Sequence, residues 1–192
     1  MDSKSELKKV SRVGGALALL RRVWETKRDQ LTWTALRVTV GLLWLNSFWG
    51  KFTNPAYVSG FAATNRGFAA KTSFGFYRDF LNSVVIPNAD FWANLTMYGE
   101  LLVGVALVLG LLTNVGAVAG FFLNLNFWMA AGQTGSTFSV NIVMGTAGLL
   151  FALSPGAKWL SVDRLVAERL FPKVAQRHAK LVKAFLQRPL AL

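Results

Sequence analysis

The 192-residue chain has no cysteine, which excludes disulfides, thiolate-bound metals, iron–sulfur clusters and a persulfide carried on the protein itself. Histidine is nearly as scarce, the one copy being His178 in the C-terminal segment. With no His pair and no thiolate in its apolar part, the chain is expected to carry no haem and no metal. Acidic residues are few, nine Asp and Glu against 21 Lys and Arg, for a net charge of +12. Charge of either sign almost disappears from four long apolar stretches, where it is confined to Arg37 and Glu100.

Those stretches are Leu31 to Trp49, Leu95 to Leu112, Val115 to Ala131 and Phe138 to Leu153. A bilayer core of about 30 Å needs roughly 17 to 25 helical residues at about 1.5 Å each, so each stretch can cross once with help from its flanks. The expected fold is all-α, an integral membrane four-helix bundle. The domain plan follows: a basic amphipathic segment over residues 1–30, a transmembrane domain over 31–153 and a second basic amphipathic segment over 154–192.

The positive charge does not read as a nucleic-acid surface, because it lies mainly in the two tails. Eight Lys and Arg against four acids precede Leu31, and eight against two follow Leu153. By the positive-inside rule both termini are cytoplasmic, in a multi-pass protein of the inner membrane. The apolar run Val13 to Leu20 ends in Arg21 and Arg22 without a small-residue cleavage site, so it is expected to be retained. Leu7, Val10, Val13, Leu17, Leu20 and Trp24 recur at helical spacing, which suits the inner membrane surface or a partner protein. Pro172 is expected to divide the C-terminal segment into two short helices.

Only the first connection, Gly50 to Asn94, is long. Its Tyr57, Phe61, Phe68, Phe74, Phe76, Tyr77 and Phe80 make it too aromatic for a solvated linker, and an external cap of short helices is expected there. Gly104, Gly116, Gly120, Gly145 and Gly148 mark close helix contacts. Counted from the inner boundary, Glu100 and Asn141 fall at about 18 Å, Asn126 at about 16 Å and Arg37 at about 9 Å. A carboxylate at that depth belongs inside the bundle, paired, hydrogen-bonded or protonated, and Asn141 or Asn126 is its expected partner, with Arg37 at longer range. Asn124 and Asn126 lie about 200° apart on their helix, so at most one of them shares that pocket. These groups serve equally well as interhelical hydrogen-bond glue or as the proton-handling part of a redox site.

The segments RVTVGLLWLNSFWGKFTNP (Arg37 to Pro55) and YGELLVGVALVLGLLTN (Tyr98 to Asn114) resemble the DoxX/DoxD family, especially the DoxD-type small subunit of thiosulfate:quinone oxidoreductase. The family's first-helix Arg and Gly correspond to Arg37 and Gly41, its helix-end Gly-Lys to Gly50 and Lys51, and its second-helix Gly-Glu to Gly99 and Glu100. The hairpin becomes Gly110, Leu111, Thr113 and Asn114, with Asn where a basic residue is usual. The resemblance implies oxidation of thiosulfate to tetrathionate with electrons passed to quinone. On that reading Glu100, Arg37 and Lys51 are the candidate catalytic residues, with Lys51 attracting a small anionic substrate. Glu100, Asn126, Asn141 and Trp44 are the candidate quinone-binding residues. Membrane lipid and other membrane-protein subunits are the implied partners. The alternative is a noncatalytic accessory or structural subunit of a larger respiratory or photosynthetic complex. A transporter is disfavoured, because four short-looped helices offer little symmetry for alternating access.

Overall fold

The computed structural model describes residues 3–131 and 135–170, and the described residues form helices and turns without a strand. The expected break at Pro172 and the lone His178 lie outside them. Helix α1 runs from Ser3 to Phe52 as one continuous helix of 50 residues. The change at Leu31 from basic amphipathic to apolar sequence is therefore no break in the backbone. Helix propagation depends on backbone hydrogen bonds and stops at residues that cannot supply them, and no proline occurs before Pro55. Polarity along the helix changes without interrupting it. The chain turns after Phe52, where the Asn54 side chain accepts a hydrogen bond from the Ala56 amide at 3.0 Å.

The long connection holds α2 (Tyr57–Lys71) and α3 (Gly75–Phe80). From α3 the chain stays helical through a widened π turn, Leu81–Val85, and a tight 3-10 turn, Ile86–Asn88, into α4 (Ala89–Leu109). Pro87 accounts for both irregular turns. Its ring crowds the carbonyl one turn back and it has no N–H to donate, so the helix adjusts its pitch on either side. The second apolar helix thus begins well before Leu95, as part of a continuous 35-residue run from Gly75 to Leu109. Among the described residues this run is the one helix long and apolar enough to cross a membrane, and Phe138–Leu153 is a shorter apolar helix.

Helix α5 covers Thr113–Ala131 and α6 covers Gly135–Leu153, followed by a 3-10 turn at Pro155–Lys158 and α7 at Val162–Leu170. Helix α1 packs along α4, α4 along α5 and α5 along α6, while α1 meets α6 only lightly. Glycine permits the closest of these approaches. A Cβ on Gly41 would lie 2.8 Å from the Val108 side chain, and one on Gly104 would lie 2.6 Å from Leu45, so α1 and α4 touch at a distance that side chains would forbid. Gly116 meets Ala106 of α4, and Gly148 meets the Ala117 carbonyl of α5.

The surface of these helices is apolar: Leu42, Leu102, Val115, Phe122, Val143 and Leu153 are all exposed. Their interior is where the polar groups lie, with Arg37, Glu100, Asn124 and Asn141 buried. A water-soluble bundle shows the opposite arrangement. This reversal agrees with a hydrocarbon surrounding, in which polar groups find partners only inside.

At one end of the molecule, α4 closes on Gly110 in the left-handed conformation (φ +67°). Asp163 at the start of α7 then caps α5, its carboxylate accepting from the Leu112 and Thr113 amides at 2.6 and 2.7 Å. The Asp163 amide returns a bond to the Gly110 carbonyl at 3.0 Å. Replacing Asp163 by Ala leaves α5 without its cap and should cost about 1–2 kcal/mol. Gly110→Ala should cost about the same through left-handed strain alone, and more through contact with Ser161 and Arg37. Thermal unfolding of the detergent-purified variants, followed by helicity, measures both losses.

Candidate functional site

Five residues of α1 recur at intervals of three and four: Arg37, Val40, Trp44, Ser47 and Lys51. That spacing places them on one face, and the face is turned inward, with Arg37, Val40 and Trp44 all buried. Its two cations stand fourteen positions apart, about 21 Å along the helix, so they serve opposite ends of the molecule.

At the end nearest α2, Lys51 bends inward. Its Nζ donates to Glu100 Oε1 at 2.9 Å and Oε2 at 2.7 Å, and to Ser47 Oγ at 2.8 Å. Glu100, on α4, is only 1% exposed, whereas the lysine side chain keeps 24% of its surface. The carboxylate's partner is therefore Lys51, and neither Asn141 nor Asn126, which were expected there, nor the more distant Arg37. Counting depth from a presumed boundary misses this pairing, because a four-carbon stem at a helix end can reach back more than a turn. The Lys51 ammonium also stands 5.9 Å from the centre of the Tyr57 ring. Burial, with the Glu100 charge adding to it, pushes the Tyr57 phenol well above its ordinary pKa, so it faces the pair as a neutral hydroxyl.

Arg37 works at the other end. It is 1% exposed, its Nη1 donates to the Leu107 carbonyl at the end of α4, and its Nη2 donates to the Leu160 carbonyl at 2.6 Å. Asp163 acts on it through space as the opposing charge. The guanidinium thus ties α1 to the last turn of α4 and to the segment leading into α7, and it does not line the cavity beside Glu100.

That cavity, of about 500 Å³, lies between the cap-side parts of α1, α4, α5 and α6 and the cap formed by α2 and α3. Of the six candidate site residues, Lys51, Glu100, Asn126 and Asn141 line it, and Arg37 and Trp44 do not. Its walls are aromatic, with Phe61, Phe68, Phe80, Trp92 and Phe127, and the irregular turn before α4 contributes Leu81 and Val85. Asn126 accepts a hydrogen bond from the Tyr77 hydroxyl. Asn141 differs from it: its side-chain Nδ2 is buried and has no hydrogen-bond partner. A buried donor left unpaired carries a desolvation cost that a ligand acceptor would relieve.

Trp44 and Asn124 lie elsewhere. They line a second cavity, of about 470 Å³, between α1, α5 and α6. Asn124 there donates to the Gly120 carbonyl at 2.9 Å. The two asparagines of α5 therefore face different cavities, as their angular separation requires. Ser47, Tyr57, Tyr77 and Thr96 also line the first cavity. The signal for Ser47 was present in the α1 stripe, one turn before Lys51. No local pattern distinguishes Tyr77 among the many aromatics of the connection.

The pair's energetics are testable without knowledge of a ligand. Lys51→Ala strands a carboxylate in the interior, a loss of about 3 kcal/mol or more. Lys51→Ala combined with Glu100→Gln should recover most of it, because no charge is then left unpaired. A double variant that melts no higher than Lys51→Ala in detergent would show that loss of the lysine does not leave a costly unpaired charge at Glu100.

The family model described as the small subunit DoxD of TQO, thiosulfate:quinone oxidoreductase, matches residues 33–188, which include every residue of both cavities and of the Arg37 clamp. Neither a curated protein nor a solved structure matches the chain. A match over most of the length, together with an apolar exterior around buried charges, places this membrane protein: the chain belongs to the DoxD family.

Proposed function

We propose that the chain is a quinone-linked redox subunit that crosses the inner membrane four times, with both termini cytoplasmic and the α2–α3 cap on the outer side. The observation that carries this reading is a buried carboxylate, held by one lysine, at the wall of an aromatic cavity that also presents an unpaired amide donor. The donor set suits a quinone: flat aromatic walls take the ring, and the unpaired Asn141 Nδ2 offers a hydrogen bond to a carbonyl oxygen. A cavity of about 500 Å³ lies within the range that binds small organic ligands.

A quinone bound there supplies a two-electron, two-proton acceptor, matched by the two electrons released when two thiosulfate ions join through a sulfur–sulfur bond. The chain's own contribution is binding and protonic. Glu100 and Lys51 share a hydrogen-bonded contact that can hold a proton on either side, and the exposed part of Lys51 connects it to the cavity. Because Lys51 is committed to Glu100, attraction of an anion falls to Arg66 and Lys71, both exposed on α2. Arg37, outside the cavity, has a structural task at the cytoplasmic end.

Glu100→Gln retains the shape and hydrogen-bonding capacity of the side chain but cannot exchange a proton. It should lower thiosulfate-dependent quinone reduction in native membranes by 100-fold or more, within the range for loss of a general acid–base, while the protein stays in the membrane at normal abundance. A second reading, that of an accessory subunit, is favoured by the length of α1, whose N-terminal part carries exposed Arg21, Trp24 and Arg28. An unchanged rate in Glu100→Gln, combined with loss of a larger complex when the chain is deleted, would establish that second reading and remove the first.

The absence of native cysteine makes the topology simple to check. Single cysteines at Ser3 and Ser59 are expected to be protected from and reactive with, respectively, an impermeant maleimide applied to intact cells with a permeabilised outer envelope. Reaction at Ser3 would reverse or reduce the number of crossings.

A further inference from the structure

A molecule dissolved in the bilayer needs a lateral route to the first cavity, which the α2–α3 cap overlies at the helix ends. The second cavity supplies one. It lies where α1 and α6 meet only lightly, and it shares Ser47, Phe127 and Asn141 with the first. Its outer lips are apolar and turned to the surroundings, with Leu43 of α1 49% exposed and Val143 of α6 65% exposed. Asn141, with its unpaired amide nitrogen, stands at the junction of the two.

We propose that the crevice between α1 and α6 is a lateral opening for a polyprenyl quinone, whose head lies in the first cavity within reach of Asn141 and whose isoprenoid tail leaves between Leu43 and Val143 into the lipid. The proposal rests on the reading of the first cavity as a quinone site and adds the path and the tail. A polar head needs the buried donor, and an apolar chain needs a continuous apolar exit, since placing it in the aqueous mouth would expose every methylene to water. The two cavities meet both requirements in the order in which the ligand presents them.

The test uses the full chain in nanodiscs and reads tryptophan fluorescence quenching by two probes, a benzoquinone without a tail and the same head group bearing eight isoprene units. The wild type should bind both. Val143→Trp and Leu43→Trp, each filling one lip from an exposed position, should weaken binding of the tailed quinone at least tenfold and leave the tail-less one within twofold. Val143→Ala should instead speed exchange of the tailed quinone severalfold, which separates a blocked passage from a damaged fold. Asn141→Leu should weaken both probes. Unchanged tailed-quinone affinity in both Trp variants, with wild-type binding intact, would overturn the opening and leave the quinone site standing. Displacement of the tailed quinone by ordinary phospholipid at equal mole fraction would make the crevice an acyl-chain groove and overturn its assignment. Failure of the wild type to bind either probe would overturn the quinone site and the opening with it.

Discussion

Glu100 is almost wholly removed from solvent, and Lys51 reaches it at 2.7 Å from the end of another helix. In an interior whose outer wall is hydrocarbon, that carboxylate cannot remain charged without a partner, and a partner at the far end of α1 is of no use to it. The pairing therefore constrains more than itself. It requires α1 and α4 to lie close, which Gly41 and Gly104 allow, and it requires α1 to present Lys51 inward, which puts Ser47, Trp44 and Val40 on the same inner face.

The opposite end is secured by a different kind of contact. Arg37 donates to backbone carbonyls at the ends of elements, where helical carbonyls lack intrahelical partners, and Asp163 takes up amides at the start of α5. Charge here organises chain ends. Charge at Lys51 and Glu100 lines a cavity. Two cations of one stripe thus acquire different tasks from their surroundings, the first as a buried clamp on two backbone carbonyls, the second as a partly exposed group beside space that a ligand can use.

The irregular helix before α4 connects sequence to site in another way. Pro87 prevents regular α-helical bonding, the chain widens at Leu81–Val85, and two residues of that turn become cavity wall. Together with Thr72, whose hydroxyl donates to the Met129 carbonyl of α5 at 2.7 Å, this fastens the aromatic cap over the helix ends. The cap lies over the first cavity and adds aromatic wall to it, and in such a low-dielectric lining electrostatic effects on a bound head group are stronger than in water.

Sequence alone determined the helical class, the confinement of charge to Arg37 and Glu100 within the apolar stretches, the family resemblance and the gathering of Lys51, Glu100, Asn126 and Asn141 as site candidates. The α1 stripe of 37, 40, 44, 47 and 51 was also legible, because 3.6-residue periodicity is a local property. Tertiary structure decided which charge meets which. Helix periodicity says nothing of the axial shift between two helices, and each residue of shift moves a side chain by about 1.5 Å and 100°. Depth counted from an assumed boundary pointed Glu100 to Asn141 or Asn126 and missed Lys51, and it could not foresee that Asn124 and Trp44 would face a second cavity. The Asp163 cap lay hidden for the same reason: it joins positions some fifty residues apart, and only the folded chain brings them together.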